Sequence, residues 1–213
     1  MTHPEQFIRA HTTLTHSLLV PEIALHLATE ITPLWQATED WLATQDVAPP
    51  FWAFAWPGGQ ALARYILDNP RSVAGRRVLD FASGCGISAT AAALAGAAWV
   101  EAADIDLFAT AATRLNAAAN NVVVTTETID LIGSDCRWDV ILCGDVCYEL
   151  PMTAHILPWL SDMAGRATVW IADPGRAYLP AGLHAFAHYR VATARELEDQ
   201  PERLVTLYHL PAC

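Results

Sequence analysis

Two short stretches of this chain combine residue types that could do chemistry. The first is Val78-Leu79-Asp80-Phe81-Ala82-Ser83-Gly84-Cys85-Gly86, an apolar run that ends in a glycine turn. Gly84 and Gly86 let a backbone pass close to a ligand where a Cβ would clash. The second is Gly144-Asp145-Val146-Cys147-Tyr148, which places a carboxylate and a phenol three residues apart after another apolar run.

Two chemistries compete for the glycine turn. Gly84-x-Gly86-x-x-Ala89 satisfies the relaxed dinucleotide pattern, in which a pyrophosphate sits at the start of a helix. Asp80 argues the other way, because a carboxylate at the mouth of the loop repels phosphate and attracts an ammonium. S-adenosylmethionine carries an α-ammonium and no phosphate. An Asp-x-x-x-Gly-x-Gly loop therefore suits that cofactor better than NAD. About twenty residues after Gly84, Asp104-Ile105-Asp106 supplies a carboxylate for the two ribose hydroxyls, a feature both cofactors would use.

The elements that must hold these residues follow from periodicity. Apolar runs at 77–81, 99–103, 122–125, 138–143 and 168–172 read as strands. The spacing predicts helices over 61–68, 85–94, 107–120 and 151–160 between them. Two further strand candidates lie near 186–191 and 203–210, with no convincing helix between them. This alternation specifies an α/β fold, a Rossmann-like seven-stranded, mostly parallel sheet with an antiparallel C-terminal edge. Residues 1–50 read as an N-terminal extension and 51–213 as the catalytic domain. In the extension a helix is expected from Pro4, a strand over 22–27 and a helix from Thr32-Pro33 to Trp41.

Composition narrows the partners. With 53% hydrophobic and 16% charged residues, the 213-residue chain is a folded one. Its net charge of −11 disfavours binding to a phosphate backbone and is easier to reconcile with a basic protein segment. The five cysteines form no CxxC pair, so no zinc site or disulfide framework is expected and a reducing compartment fits better. The first nine residues lack the layout of a secretory signal, and no apolar run would span a membrane, so a cytoplasmic location is expected. His184 and His188 share a spacing of four but lack a third ligand nearby, so no metal is expected there.

The combined motifs resemble the seven-β-strand methyltransferases. Within them they resemble the lysine methyltransferases of the electron transfer flavoprotein β-subunit. The resemblance rests on Phe51-Trp52-Ala53, Trp56-Pro57-Gly58-Gly59-Gln60, Leu79 to Gly86, Asp104-Ile105-Asp106, Leu115-Asn116, Asp145-x-x-Tyr148 and Asp173-Pro174-Gly175-Arg176, over roughly residues 21–176. It implies that Asp80, Ser83, Gly84 and Gly86 hold the methionine part of S-adenosylmethionine. It also implies that Asp104 and Ile105 hold the ribose, that Ile129 and Asp130 lie against the adenine, and that Trp56 packs beside the cofactor. Asp145 and Tyr148 would face the methyl group and the incoming lysine. Arg176 reads either as part of that signature or as a structural partner of a carboxylate. The implied substrate is the flavoprotein β-subunit, with a lysine of a ribosomal protein or a small molecule as alternatives, and the implied state is a monomer.

Overall fold

The computed structural model describes residues 3–29, 34, 49–193 and 200–212. Apart from Leu34, the helix expected over 32–41 lies outside them. The chain opens with helix α1 (Pro4–His11) and an antiparallel hairpin of β1 (Thr13–His16) and β2 (Ala24–Leu27). Helix α2 (Pro57–Asp68) then precedes the alternating series β3 (Arg77–Phe81), α3 (Ile87–Leu94), β4 (Trp99–Asp104), α4 (Leu107–Ala119) and β5 (Thr125–Thr128). The series continues with β6 (Val140–Gly144), α5 (Leu150–Ala164), β7 (Thr168–Asp173), β8 (His184–Ala192) and β9 (Glu202–His209).

The seven strands β3–β9 form one sheet in the order β5-β4-β3-β6-β7-β9-β8. The first five are parallel, whereas β9 runs antiparallel to both β7 and β8. This is the architecture expected from the sequence. The order reverses between β3 and β6, the place where the loops after neighbouring strands diverge and leave a crevice.

Side chains alternate across the sheet as a two-residue period requires. Val78, Val100, Val140, Leu142 and Trp170 face one side and pack with Leu62, Ile66, Ile87 and Ala91 of α2 and α3. Leu79, Phe81, Ile141, Cys143 and Ile171 face the other and pack with Ile156, Trp159, Leu160 and Met163 of α5. Burial on both faces explains why these strands read as continuous apolar runs.

Several boundaries moved. The edge strand β5 begins at Thr125 instead of Val122. Asn121 takes a left-handed turn (φ +55°), and the chain needs residues 122–124 to return from α4 to the sheet. There the Trp99 indole donates to Thr125 Oγ1 at 3.1 Å. The helix expected over 151–160 continues beyond Leu160 to Ala164, because Met163 is drawn into the core beside Leu160. His184 and His188 lie on a strand, where positions four apart are roughly 13 Å from each other and share no ligand.

The N-terminal segment packs on α4. Phe7 and Ile8 bury themselves with Trp52, Ala109, Ala112 and Leu115. The link is also polar. Asn116, fully buried, donates from Nδ2 to Cys85 O (2.8 Å) in the glycine turn and accepts at Oδ1 from His26 N (2.7 Å) in β2. Asn120 accepts from Ala24 N and donates to Ala24 O at the next turn of the same helix. One amide side chain thus joins the hairpin to the turn that the sequence marks as the ligand loop. Asn116→Ala would strand both partners in the interior. It is expected to cost about 2–4 kcal/mol in denaturant unfolding, since each unsatisfied buried group costs about 1–3 kcal/mol.

Candidate functional site

A cleft of about 860 Å³ opens at the carboxyl ends of β3, β4, β5 and β6. Of the residues singled out in the sequence, it brings together Trp56, Gly84, Asp104, Ile105, Ile129, Asp130, Asp145 and Tyr148. Asp80, Ser83 and Gly86 lie behind its wall.

Each of the three has a local reason. Helix α3 starts at Gly86 in a left-handed conformation (φ +72°), and glycine offers no side chain to cap the helix. Asp80, on β3, supplies the missing acceptor: its Oδ2 receives Ala89 N at 2.9 Å. Burial pushes the Asp80 carboxyl up to about 8, against that hydrogen bond and with the Asp104 charge adding to the rise. A Cβ on Gly86 would come within 2.5 Å of Thr113 Oγ1, so the packing of α4 by itself requires glycine there. Ser83 turns its backbone to the fold, accepting from Gly86 N and donating to Ala103 O. Gly84 differs: its φ is +53°, a Cβ would meet nothing within 4 Å, and it borders the cleft. It forms an open cradle.

Asp104 closes the turn from the other side. Its Oδ2 accepts from Gly84 N (3.0 Å) and its Oδ1 from Asp106 N (3.0 Å). Burial raises its pKa, and these amides oppose the rise. Each oxygen keeps a lone pair for a further donor. Asp106 caps α4 through Phe108 N at 2.8 Å. Ile105 and Ile129 flank the cleft and are 78% and 52% exposed, so two large apolar side chains lie open on either side of a pocket. Both side chains contribute to the largely apolar lining of the cleft. Below them, Asp130 Oδ2 pairs with His155 Nε2 at 3.0 Å and Oδ1 accepts from Ile132 N. The hydrogen bond from His155 lowers the Asp130 pKa.

The far end of the cleft is built around Asp145. This residue is left-handed (φ +57°) and 8% exposed. Its Oδ2 accepts from Gly58 N (2.5 Å) and Gly59 N (3.3 Å), the first free amides of α2. Its Oδ1 accepts from Arg176 Nη2 at 3.3 Å. Burial pushes its carboxyl up to about 6, while the Arg176 charge and the Gly58 amide pull it down.

This arrangement explains the Trp-Pro-Gly-Gly sequence. Pro57 starts the helix, and a Cβ on Gly58 would lie 2.5 Å from both Asp145 Oδ2 and Ala172 O. Gly144 is constrained from the other side, since its Cβ would meet Gly59 N at 2.8 Å.

Around Asp145 stand Phe51, Trp56 and Tyr148. The Phe51 ring centre is 6.0 Å from each of the other two, and the Trp56 indole donates to Phe51 O at 2.8 Å. Phe51, His155 and Arg176 all border the cleft without having been assigned a role there from the sequence. An exposed aromatic two turns before a glycine-rich helix start was the available signal for Phe51. Arg176 does partner a carboxylate, as one of its two readings held.

Known proteins bear on this geometry. The family model for ribosomal protein L11 methyltransferase (PrmA) matches residues 61–148. The electron transfer flavoprotein β-subunit lysine methyltransferase of Danio rerio is 41% identical over 92% of this chain and 78% of its own. The Homo sapiens protein of the same name is 38% identical over 86% of this chain and 70% of its own. This chain belongs to the electron transfer flavoprotein β-subunit lysine methyltransferase family. The expected activity class and its cofactor, S-adenosylmethionine, are those of this family. Solved structures agree on the fold. Magnesium protoporphyrin IX methyltransferase from Synechocystis superposes with a TM-score of 0.53 at 18% identity, over 70% of this chain and 78% of that one. Ribosomal protein L11 methylase from Lactobacillus delbrueckii does so at 0.50 and 21%, over 73% and 79%.

Two outcomes test the construction of the site. Gly58→Ala is expected to lose about 1–3 kcal/mol of stability in denaturant unfolding, the usual cost of overpacking a closed contact. The second concerns pH. Asp80 binds its proton up to about pH 8 in the folded chain and only to about 3.8 when unfolded. Between those values the folded state holds the extra proton, so stability falls as pH rises, by at most about 1.4 kcal/mol per unit. Asp80→Asn should flatten that slope in ligand-free protein, read as the difference between the two stability–pH curves.

Proposed function

We propose that this chain methylates lysine side chains of the electron transfer flavoprotein β-subunit, using S-adenosylmethionine. The observation that supports this best is the aromatic opening of Phe51, Trp56 and Tyr148 set beside a buried carboxylate, at the end of the cleft that Gly84 and Asp104 begin. The relatives named above carry that substrate in their names.

The residues fit the cofactor. Asp104 has acceptor positions for two ribose hydroxyls, and Ile105 and Ile129 present apolar faces for a flat base, with Asp130 beside them. The open Gly84 turn gives backbone access. The wall is acidic, which suits a cationic ligand and opposes a pyrophosphate. Asp80 acts from behind the wall, fixing the first turn of α3 and adding negative charge when ionised. When bound, S-adenosylmethionine supplies a methyl group activated by a positively charged sulfur.

What remains for the protein is position and protonation state. The flat rings of Phe51, Trp56 and Tyr148 receive the four methylenes of a lysine. They leave its nitrogen near Asp145, whose carboxylate accepts one N–H and orients the lone pair. Held there, a neutral amine would present its lone pair to the methyl group that bound S-adenosylmethionine would supply, and its proton would leave to water afterwards. The nucleophile must arrive neutral. Near pH 7.4, freeing a lysine of its proton costs roughly 4 kcal/mol.

The same reading takes residues 51–213 as the methyltransferase domain and the preceding residues as its extension, in a cytoplasmic monomer. Among the described residues no helix is long and apolar enough to cross a membrane. The net charge of −11 opposes a nucleic acid partner.

The experiment is transfer of tritium from labelled S-adenosylmethionine into purified flavoprotein β-subunit and into a methylation-naive lysate. Label on the β-subunit, reduced by about 10²-fold or more in Asp145→Asn, is the expected result for loss of a group that orients the nucleophile. Label confined to small ribosomal proteins would replace the substrate. That outcome would agree with the L11 methyltransferase model over residues 61–148. An Asp145→Asn enzyme with unchanged kcat and KM would remove Asp145 from the reaction.

A further inference from the structure

A buried carboxylate next to the methyl-transfer point raises a difficulty. An ionised Asp145 alone would hold an incoming lysine as its ammonium, the form that cannot attack, because opposite charge stabilises the protonated amine. Both of its oxygens already have partners. Oδ2 is taken by the Gly58 and Gly59 amides, and Oδ1 receives the Arg176 guanidinium at 3.3 Å. Arg176 borders the same cleft, and its side chain is 23% exposed against 9% for Asp145.

Its place is fixed by its own loop. Asp173, the last residue of β7, accepts at Oδ1 from Gly175 N (2.7 Å) and Arg176 N (2.6 Å), and Gly175 turns left-handed at φ +88°. That geometry accounts for the Asp-Pro-Gly-Arg sequence. The aspartate folds the turn, the glycine permits it, and the arginine is delivered to Asp145 from the next strand over.

We propose that Arg176 sets the charge at this end of the cleft so that lysine enters as the neutral amine. The inference rests on the lysine methyltransferase reading. With Arg176, the charges of Asp145, Asp173, the guanidinium and a bound sulfonium sum to zero, so an ammonium would raise the site to +1. Without Arg176 the same groups sum to −1, and an ammonium is drawn in and held. The guanidinium also leaves Asp145 one lone pair for a neutral N–H while opposing a full cation beside it.

Among the described residues, three elements bring further groups near the pair. From β7 comes Asp173, whose charge opposes ionisation of Asp145. From the turn after β6 come Cys147, Tyr148 and Glu149; the Cys147 thiol is pushed up to about 12 by burial and so stays protonated. Burial likewise raises the Tyr148 phenol. From α2 come the backbone amides of Gly58 and Gly59. The nearest fixed positive charge among these is Arg176.

The test compares wild type, Arg176→Lys and Arg176→Gln in two measurements, after thermal melts confirm that each variant is folded. The first follows Asp145 by carbon-13 NMR of aspartate-labelled protein without cofactor. Its titration midpoint should rise by about one unit or more in the glutamine variant and stay close to wild type in the lysine variant. The second is the pH profile of kcat on the purified flavoprotein β-subunit, which reports ionisations in the bound complex. The rising limb should move about one unit to higher pH in the glutamine variant, a loss of about tenfold near neutrality that disappears above the limb.

An unmoved Asp145 midpoint, or an equal loss of kcat at every pH, overturns the proposal and leaves the lysine methyltransferase reading standing. A shifted midpoint in a protein that transfers no methyl group to any protein lysine overturns that reading, and the proposal with it.

Discussion

The carboxylate of Asp145 seated on the first amides of α2 is the contact on which the rest of the site depends. The amide ends of a helix carry partial positive charge and have no partners within the helix. A helix whose cap residue is Trp56 cannot cap itself, because an indole has no acceptor. The acceptor comes from the residue that follows β6, eighty-seven positions after Gly58 in the chain. To deliver it, Asp145 adopts a left-handed backbone, an arrangement more costly for any residue with a Cβ than for glycine. Gly58 and Gly144 must both be glycine for the two backbones to approach. The contact therefore joins α2, the end of β6 and, through Ala172, the end of β7.

The same device recurs at the cofactor end. Helix α3 begins with Gly86, which has no capping side chain, and Asp80 on β3 accepts from Ala89 N in its place. Asp104 at the end of β4 then ties down the Gly84 amide. Carboxylates at the ends of three parallel strands thus hold the backbone of the loops that follow or face them. Burial raises the proton affinity of all three, most clearly for Asp80 and Asp145. The cost is charge kept out of water, and a cationic ligand in the cleft offsets it. A cleft built in this way favours cations for reasons that begin in the backbone.

The N-terminal hairpin belongs to the same network. Asn116 reaches the glycine turn with its donor and β2 with its acceptor, so the hairpin buttresses the loop from behind. Thr113, one turn earlier on α4, fills the space that a side chain at Gly86 would need. The turn is shaped as much by the helix packed on it as by its own glycines.

The sequence by itself determined the sheet, the cleft end and much of the residue set. Strands buried on both faces must be apolar throughout, and parallel strands need helices between them, so the α/β reading and its antiparallel edge were legible from pattern alone. Gly84 and Asp104 were legible because a tight turn and a carboxylate at a strand end restrict the residue types that can stand there, whereas Asp145 and Tyr148 were marked by the family resemblance. Tertiary structure decided what the pattern could not carry. It placed Asp80 and Gly86 behind the wall, because their partners, Ala89 N and Thr113, are chosen by helix packing and not by the loop. It extended α5 beyond Leu160 to Ala164, burying Met163 in the core, and it moved β5 three residues along to meet β4. It also brought Phe51, His155 and Arg176 to the cleft from separate parts of the chain. Local sequence sets which backbone shapes a residue can adopt; only the folded sheet sets which distant side chain completes its hydrogen bonds and charge.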